Sequence, residues 1–523
     1  MAFRDIAEAI PYPDGTSARF RRLDARDRLL DGTFYDHLPH PFSKEFDGSN
    51  HVRLEKRRPS VVYNLARVIV DQTSALTFGE AHAPHVRCWD EEGEANPYED
   101  TESAIDAFIA DAGLNALMAE AVFRGSVGSC FIRVRALSDG RPSLSVIRGK
   151  YARPIFDLND PEKLRAVVQM YPTSGEDLAQ YGYDRIDEEK TYWMRIELGP
   201  KEERWYLPLP DEQYQRLGNK NTAKASWSLD RERSYSHGFG VVPGAWVANL
   251  ARDGVDGDAT FGQILDICVE LDYMLSQMGR GMKYAMDPLL VVQRGELASS
   301  LPVGGGINSE GNFVKDPSNA LVLPPGAAAQ LLEMTGSGFE ASKEYVRLLR
   351  EYALEVVGGM KSDSETTKGA QSGRAMELLH QALLWLVGRL RSCYGDGAFV
   401  AILKILLLGV QRGILTVPGH SGLAIDAEAP IRLVWPSWWT PRGADLLAEA
   451  QALSSLTGGV ALLPRDTGTR AAAMALGVSD PNRVVGAMTE QQDEEQRAQP
   501  EAPDEQPDDA SGEKPDQQPV KKT

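Results

Sequence analysis

Apolar positions in the first quarter of the chain recur at helical spacing. After Pro59, the residues Val62, Leu65, Ala66, Ile69, Val70 and Thr73 share one face, the signature of an amphipathic helix. Proline suits the first turn of such a helix, where its missing N–H costs nothing, and Gly79 marks the end. Two further helices are predicted at 101–112 and 114–124, parted by Gly113. Upstream, residues 1–58 are polar and rich in arginine and hold Pro11, Pro13, Pro39 and Pro41. They predict an extended arm with one short helix near Arg22–Leu30.

The period then falls towards two. Cys130–Leu137, Ser143–Ile147, Ala166–Tyr171, Thr191–Leu198 and Arg204–Leu209 are short, rich in aromatic and β-branched residues and divided by turn residues, which predicts an antiparallel meander. Gly218–Asn221 marks an exposed loop within it.

Helical spacing returns at Asp258. Ile264, Ile267, Leu271, Met274, Met278 and Met282 are 3, 4, 3, 4 and 4 residues apart, a heptad-like seam that stops at Asp287-Pro288. A β- and glycine-rich segment follows, with Leu289–Val292, Gly304–Gly306 and Ala320–Leu323. From Phe339 a second helix carries Val346, Leu349, Ala353 and Val356 at 3, 4 and 3 spacing and ends at Gly358-Gly359. The unit is therefore helix, insert, helix. On another face of the first helix, Asp266, Glu270, Tyr273, Gln277 and Arg280 form a mostly polar stripe, which either faces solvent or lines a channel.

Beyond this unit comes a polar segment, 360–371. A long helical run is predicted from Ser372 to Arg412, broken around Gly395-Asp396-Gly397, then a strand at Ile431–Trp435. Helices are predicted at 441–456, 464–475 and 480–492, each with a proline near its start. Past Gln496 the Pro/Glu/Asp/Gln composition cannot support a core and predicts disorder. At 523 residues and 42% hydrophobic, the chain is too long for one ordinary core. The predicted class is α+β.

Charge narrows the function. The net charge is −19, of which the 34 residues from Glu490 contribute −7 (11 acidic, 4 basic), leaving −12 on the body. That balance disfavours a protein that grips nucleic acid through many phosphate contacts, but suits a wall that DNA slides past. Cys88, Cys130, Cys268 and Cys393 form no C-x-x-C pair and are expected to be reduced thiols. No secretory signal is apparent at the N-terminus. The most apolar run, 398–410, contains Lys404 and is shorter than the roughly 20 residues that span a bilayer, so a soluble protein is expected.

Several fragments imitate catalytic motifs without completing them. Gly358-Gly-Met-Lys-Ser362 lacks the distal glycine and the Gly-Lys junction of a phosphate loop. Gly125-Ser-Val-Gly-Ser129 lacks the residue between glycine and serine that a nucleophile elbow needs. His82, His85 and Cys88 are close in sequence, but no second cluster completes a metal site, and His380 reads as a core or interface histidine. Asp90–Glu92 and Asp187–Glu189 read as solvated loops. No catalysis, metal or cofactor is expected.

The order of elements is more specific than any short motif. Asn64–Asp71 running into Phe78-Gly79-Glu80, His237–Pro243 followed by Ala248-Asn249 and a long helix, Met286-Asp287-Pro288 before an apolar strand, and Gln371–Ala375 opening another long helix together resemble the portal proteins of tailed bacteriophages. The resemblance spans about residues 59–480. It implies an N-terminal arm (1–58), a wing (59–257), a stem of two helices (258–285 and 339–359), a β-rich clip (286–338), a channel loop (360–371), a long wing helix with return strand (372–440), a helical crown (441–490) and an acidic tail (491–523). It also implies a homo-oligomeric ring, usually of about twelve subunits, at one capsid vertex of the virion, assembled in the host cytoplasm. Such a ring conducts double-stranded DNA during packaging and ejection. Its partners would be the terminase large subunit, a head–tail adaptor and the capsid and scaffold proteins, with no membrane. Ile264, Ile267, Leu271, Met274 and Met278 would pack against Val346, Leu349 and Ala353 or a neighbouring subunit. Asp266, Glu270, Gln277 and Arg280 are candidates for lining the channel. Lys361, Ser362, Asp363, Ser364, Glu365, Thr366, Thr367 and Lys368 would face DNA. A smaller ring-forming adaptor, a packaging motor or nuclease and a β-rich adhesin are the rival readings. The second of these requires a phosphate loop that the sequence lacks, and the third leaves the helical half unexplained.

Overall fold

A computed structural model describes residues 2–13, 16–89, 96–184, 186–217, 227–251, 254–286, 289–293, 328–332, 337–358, 380–420, 422–436, 438, 451, 465–475, 484, 486 and 488. The protein is a mixed α+β chain of two compact units, Met1–Thr440 and Pro441–Thr523. Within the second unit, Arg465–Ala475 is helical, matching the middle of the three helices predicted there. The other two, and the acidic tail, lie almost wholly outside the described residues.

The N-terminal segment contains the helix expected near Arg22–Leu30, but the rest of it is not an extended arm. It folds into α1 (Phe3–Glu8) and α2 (Ala18–Asp31), and it buries Ile6, Leu23, Leu30 and Phe34 completely. Ser17 caps α2 by accepting from the Phe20 amide, and Gly32 closes it in the left-handed conformation that only glycine adopts without strain. The acidic positions of α2 are paired, not solvated. Lys150 Nζ lies 2.8 Å from Asp24 and 2.6 Å from Asp27, and Arg148 lies 2.6 Å from both Asp27 and Asp31. Burial alone would raise the Asp24 carboxyl, but Lys150 and then Arg28 hold it below its ordinary range.

The helix predicted from Pro59 begins six residues later, as α3 (Leu65–Phe78). Asn64 caps it from a left-handed backbone conformation, with its side chain accepting from the Arg67 amide and donating to Leu30 O. Residues 59–63 are extended, so Val62 is exposed, not part of the apolar face. Helices α4 (Glu99–Asp111) and α5 (Leu114–Gly125) follow within two residues of the predicted bounds.

The meander is two sheets instead of one. Strands β6 (Ser129–Ala136), β7 (Pro142–Arg148) and β13 (Gly244–Ala248) form one sheet in the order β13-β6-β7. Strands β8 (Ala152–Phe156), β9 (Leu164–Ser174), β10 (Thr191–Leu198), β11 (Glu202–Pro210) and β12 (Leu229–Ser236) form the other, consecutive and antiparallel. Two short helices interrupt its connections, α6 (Gly175–Gln180) and α7 (Asp211–Leu217). The two sheets meet through Phe131, Ala152, Val167, Leu198 and Val242. Shorter pairings involve β1 (His40–Pro41) with β4 (Arg57–Arg58), and β2 (Phe46–Asp47) with β3 (Asn50–His51). The return strand β16 (Arg432–Val434) pairs with β5 (His85–Arg87), a strand with no advance sign in the hydrophobic pattern.

Helix α8 (Leu265–Met286) and helix α9 (Ser337–Val357) flank a two-stranded ribbon, β14 (Leu289–Gln293) with β15 (Ala328–Leu332), paired antiparallel from Leu289↔Leu332 to Gln293↔Ala328. The remainder of the insert lies outside the described residues.

The predicted break at Gly395–Gly397 is absent. Gln381–Gln411 is one continuous helix, α10, in which Arg391–Phe399 winds as a π-helix. The wider turn takes up the glycines without ending the helix. This helix extends well beyond the apolar run 398–410: by length and composition its 31 residues could cross a membrane, yet half of its apolar window is buried in the protein. Leu390, Tyr394, Phe399, Ile402, Leu403 and Leu406 pack against α4, α5 and the three-stranded sheet. Tyr394 is fully buried and donates to Asn249 Oδ1 at 3.1 Å. Gly125 makes room for it, since a methyl at 125 would overlap the Tyr394 hydroxyl and approach Cys130 Sγ to 3.1 Å. Gly125→Ala should therefore lower unfolding stability by about 1–3 kcal/mol, read as a lower thermal midpoint with native secondary structure at 20 °C.

Candidate functional site: the two-helix unit and its strap

Helix α8 is held on one side by α9 and on another by an extended strap, residues 57–64. The strap's backbone N–H groups need partners wherever they are covered, and α8 supplies acceptors for two of them. Asp272 Oδ1 accepts from the Tyr63 amide at 2.7 Å, and Ser276 Oγ accepts from the Val61 amide at 3.0 Å. Tyr273 Oη donates to Arg57 O at 2.8 Å. Tyr35 donates its hydroxyl to Asp272 Oδ2 at 2.8 Å from the N-terminal segment. Asp272 is 2% exposed, and among the described residues no cation is ion-paired with it. Burial pushes its carboxyl up to about 6, against the donors from Tyr63, Tyr35 and Asn64.

This arrangement redraws the predicted seam. Ile264 and Leu271 are buried and Ile267 packs at the edge of the core, as does Val346 with Leu349 on α9, while Ala353 is fully buried. Met274 and Met278, however, are half-buried and outside the core cluster. The buried face of α8 runs instead through Cys268, Val269, Asp272, Tyr273 and Ser276. Two polar residues and a tyrosine were invisible as core positions because their partners lie more than 200 residues upstream.

The polar stripe is divided. Tyr273 is buried and leaves it. Asp266 is exposed and accepts from the Phe3 amide at 2.7 Å, so α1 lies across its end. Glu270 is half-buried, and Gln277 is exposed. Arg280 is half-buried and ion-paired with Glu45. Of the four candidates for a channel wall, Asp266 and Gln277 are the two that present exposed side chains. Lys361, Ser362, Asp363, Ser364, Glu365, Thr366, Thr367 and Lys368 all lie outside the described residues.

Helix α9 carries a second apolar face. Val346, Leu349, Ala353 and Val357 turn towards α8 and the first helices. Tyr345, Tyr352 and Val356, 7 and 4 residues apart, fall on one stripe beside them and are 42%, 54% and 49% exposed. Ion pairs Lys343–Glu340, Arg347–Glu344 and Arg347–Glu351 occupy the remaining surface. Tyr345, Tyr352 and Val356 thus form an exposed apolar stripe along α9.

The chain matches no protein-family model and no curated protein. Chemistry must therefore be read from the residues. Among the described residues no group of three His, Cys, Asp or Glu side chains could hold a metal ion. His82 Nε2 is 3.1 Å from Trp438 O, and the Cys88 amide donates to Glu102, so the His82/His85/Cys88 group is dispersed into separate contacts. The four cysteines are free thiols. Burial pushes Cys88 and Cys268 up to about 12, with nearby carboxylates adding to the effect, which makes both poor nucleophiles. His380 immediately precedes α10, half-buried, and burial lowers its pKa.

Proposed function

We propose that the chain is a portal subunit, one of about twelve in a closed ring that conducts double-stranded DNA through a capsid vertex. The single observation behind this reading is the α8–ribbon–α9 unit with the open apolar stripe of Tyr345, Tyr352 and Val356. A stripe that one chain cannot cover is satisfied when the next subunit covers it, and a heterologous contact repeated around a rotation axis closes without leaving an exposed end. In this reading α8 and α9 are the stem and the β14–β15 ribbon is the base of the clip, where the terminase large subunit and then the head–tail adaptor dock. The two sheets with α3–α5 and α10 form the wing, towards capsid and scaffold proteins, and 441–490 forms the crown.

The acidic body fits a conduit. A wall that bound phosphates tightly would release many counterions and hold the duplex in a salt-sensitive trap. Weak contacts fall to the proposed channel loop, where Lys361 and Lys368 flank Asp363 and Glu365. Lys361→Ala with Lys368→Ala should leave the ring intact and lower DNA retention in filled particles. Retention equal to the parent's would remove the loop from the DNA path. The ring itself is tested by native mass spectrometry of the purified protein: twelve copies of the 57.4 kDa chain give about 0.7 MDa. A monomer at every salt concentration, with and without partner proteins, would overturn the reading.

A further inference from the structure

A cavity of about 790 Å3 opens where the strap crosses the second half of α8, within the range that small ligands occupy. Its walls are the turn that follows β1, the strap, and Gly279, Arg280 and Lys283 of α8. Four of its lining residues, Ser43, Arg58, Ser60 and Lys283, are exposed and so accessible to a ligand from solvent.

Charge is arranged differently here from the rest of the chain. Acidic residues outnumber basic ones, 75 to 56, and clustered cations elsewhere are matched: Arg19 and Arg22 by Asp256, Arg148 and Lys150 by the acids of α2, Arg133 and Arg135 by Glu203. This cavity is lined by three cations and no carboxylate. Glu45, which is not a lining residue, pairs with Arg280. Among the described residues neither Arg58 nor Lys283 is ion-paired, so two positive charges stand uncompensated. Gly279 is a second, independent sign. Glycine is the poorest helix former after proline, and no atom lies within 4 Å of where a Cβ at 279 would stand. Packing within the chain does not demand a glycine there. What it does is keep the α8 wall of the cavity open.

We propose that this cavity binds a phosphate dianion, either free or as the terminal group of a monoester. Two uncompensated cations match the charge of such a group near neutral pH. The Arg58 guanidinium and the Lys283 ammonium are charge-assisted donors to its oxygens, and the Ser43 and Ser60 hydroxyls are further donors at the same opening. A carboxylate leaves half of that positive charge unmet, and so does each singly charged phosphodiester of a duplex. The site is therefore distinct from a grip on the DNA backbone, and the proposal does not depend on the portal reading.

Inorganic phosphate and adenosine monophosphate are the probes, titrated into the full-length protein by calorimetry at constant ionic strength and about pH 7.5, above the second phosphate pKa of about 6. Acetate and a blunt duplex without terminal phosphates are the controls. Phosphate should bind about tenfold more tightly than acetate. Equal binding of both probes assigns the site to the phosphate group itself, and binding of the monophosphate alone assigns it to a nucleotide; either result supports the proposal. Arg58→Gln and Lys283→Gln should each weaken binding about tenfold at an unchanged melting temperature, since both side chains are exposed. Gly279→Leu should abolish binding and leave the melting temperature unchanged or raised, because it fills the α8 wall and improves the helix. No saturable binding of either probe up to about 20 mM, binding indifferent to all three substitutions, or tighter binding of the duplex overturns the proposal.

Discussion

Tyr345→Asp combined with Tyr352→Asp should convert the proposed ring of about 0.7 MDa into single chains of 57.4 kDa. Both side chains are substantially exposed in the lone subunit, so the change leaves folding almost untouched: the ion pairs of α9 lie on other positions, and surface substitutions of this kind shift stability by about 0.5 kcal/mol or less. At an interface the effect is far larger. Each tyrosine buried against a neighbour contributes on the order of 1.5–3 kcal/mol, and placing a carboxylate there adds an uncompensated desolvation cost. Two such losses weaken every contact around the ring by at least about a hundredfold. Native mass spectrometry and a melting curve read the two halves of this expectation separately. A ring of unchanged mass would place the subunit contact elsewhere, and a collapsed melting curve would show that the stripe belongs to the subunit's own core.

Asp272→Ala is expected to be the most damaging single substitution on α8. It leaves the Tyr63 amide and the Tyr35 hydroxyl without their acceptor in a site that water does not reach, at roughly 1–3 kcal/mol for each orphaned donor. A total of about 3 kcal/mol follows, and the strap and the N-terminal segment should become the first places cut by a protease. Asp272→Asn behaves differently. Its Oδ1 still accepts from Tyr63, and Tyr35 can turn its hydroxyl to accept from the new amide. The wild-type carboxyl is raised to about 6 in the folded state from its ordinary 3.8, so the folded protein holds this proton more firmly than the unfolded chain. Its contribution is therefore fully present below about pH 4 and is lost as pH rises through 6. Asparagine carries no such proton. The stability of Asp272→Asn relative to wild type should thus improve between pH 4 and pH 7, by about 1–3 kcal/mol. Thermal midpoints of both proteins across that range check it, and parallel curves would remove Asp272 as the source of the pH dependence.

Helices whose apolar residues meet their own neighbours were legible in the sequence. α4, α5 and α9 match their predicted spans closely, because each is amphipathic and ends at glycine or within two residues of it. What stayed hidden depends on distant pairing. Asp24 and Asp27 look like solvent-facing positions until Arg148 and Lys150 arrive from beyond residue 140. The strap reads as the first turns of a helix because Val62, Leu65 and Ile69 keep the right period. Only the acceptors on α8 make the extended form preferable. Strand β12, Leu-Asp-Arg-Glu-Arg-Ser-Tyr-Ser, is a polar edge strand with little hydrophobic alternation to reveal it. Of the candidate site, the two-helix unit was visible and its rotation was not: a heptad seam drawn through methionines cannot anticipate that Asp272 and Ser276 face inward.

The π-helical stretch of α10 has a consequence for how this chain tolerates change in length. A π-turn is what remains when a residue is inserted into an α-helix and the flanking turns keep their places. Removing one residue between Arg391 and Phe399 would let this stretch rewind to the α form with the flanking turns in their present places, so Phe399, Ile402 and Leu403 would keep their neighbours. The bulge thus absorbs one residue's change in length between two halves of one rod, and a deletion inside it should be tolerated where the same deletion in either flank would turn the rest of the helix by about 100°.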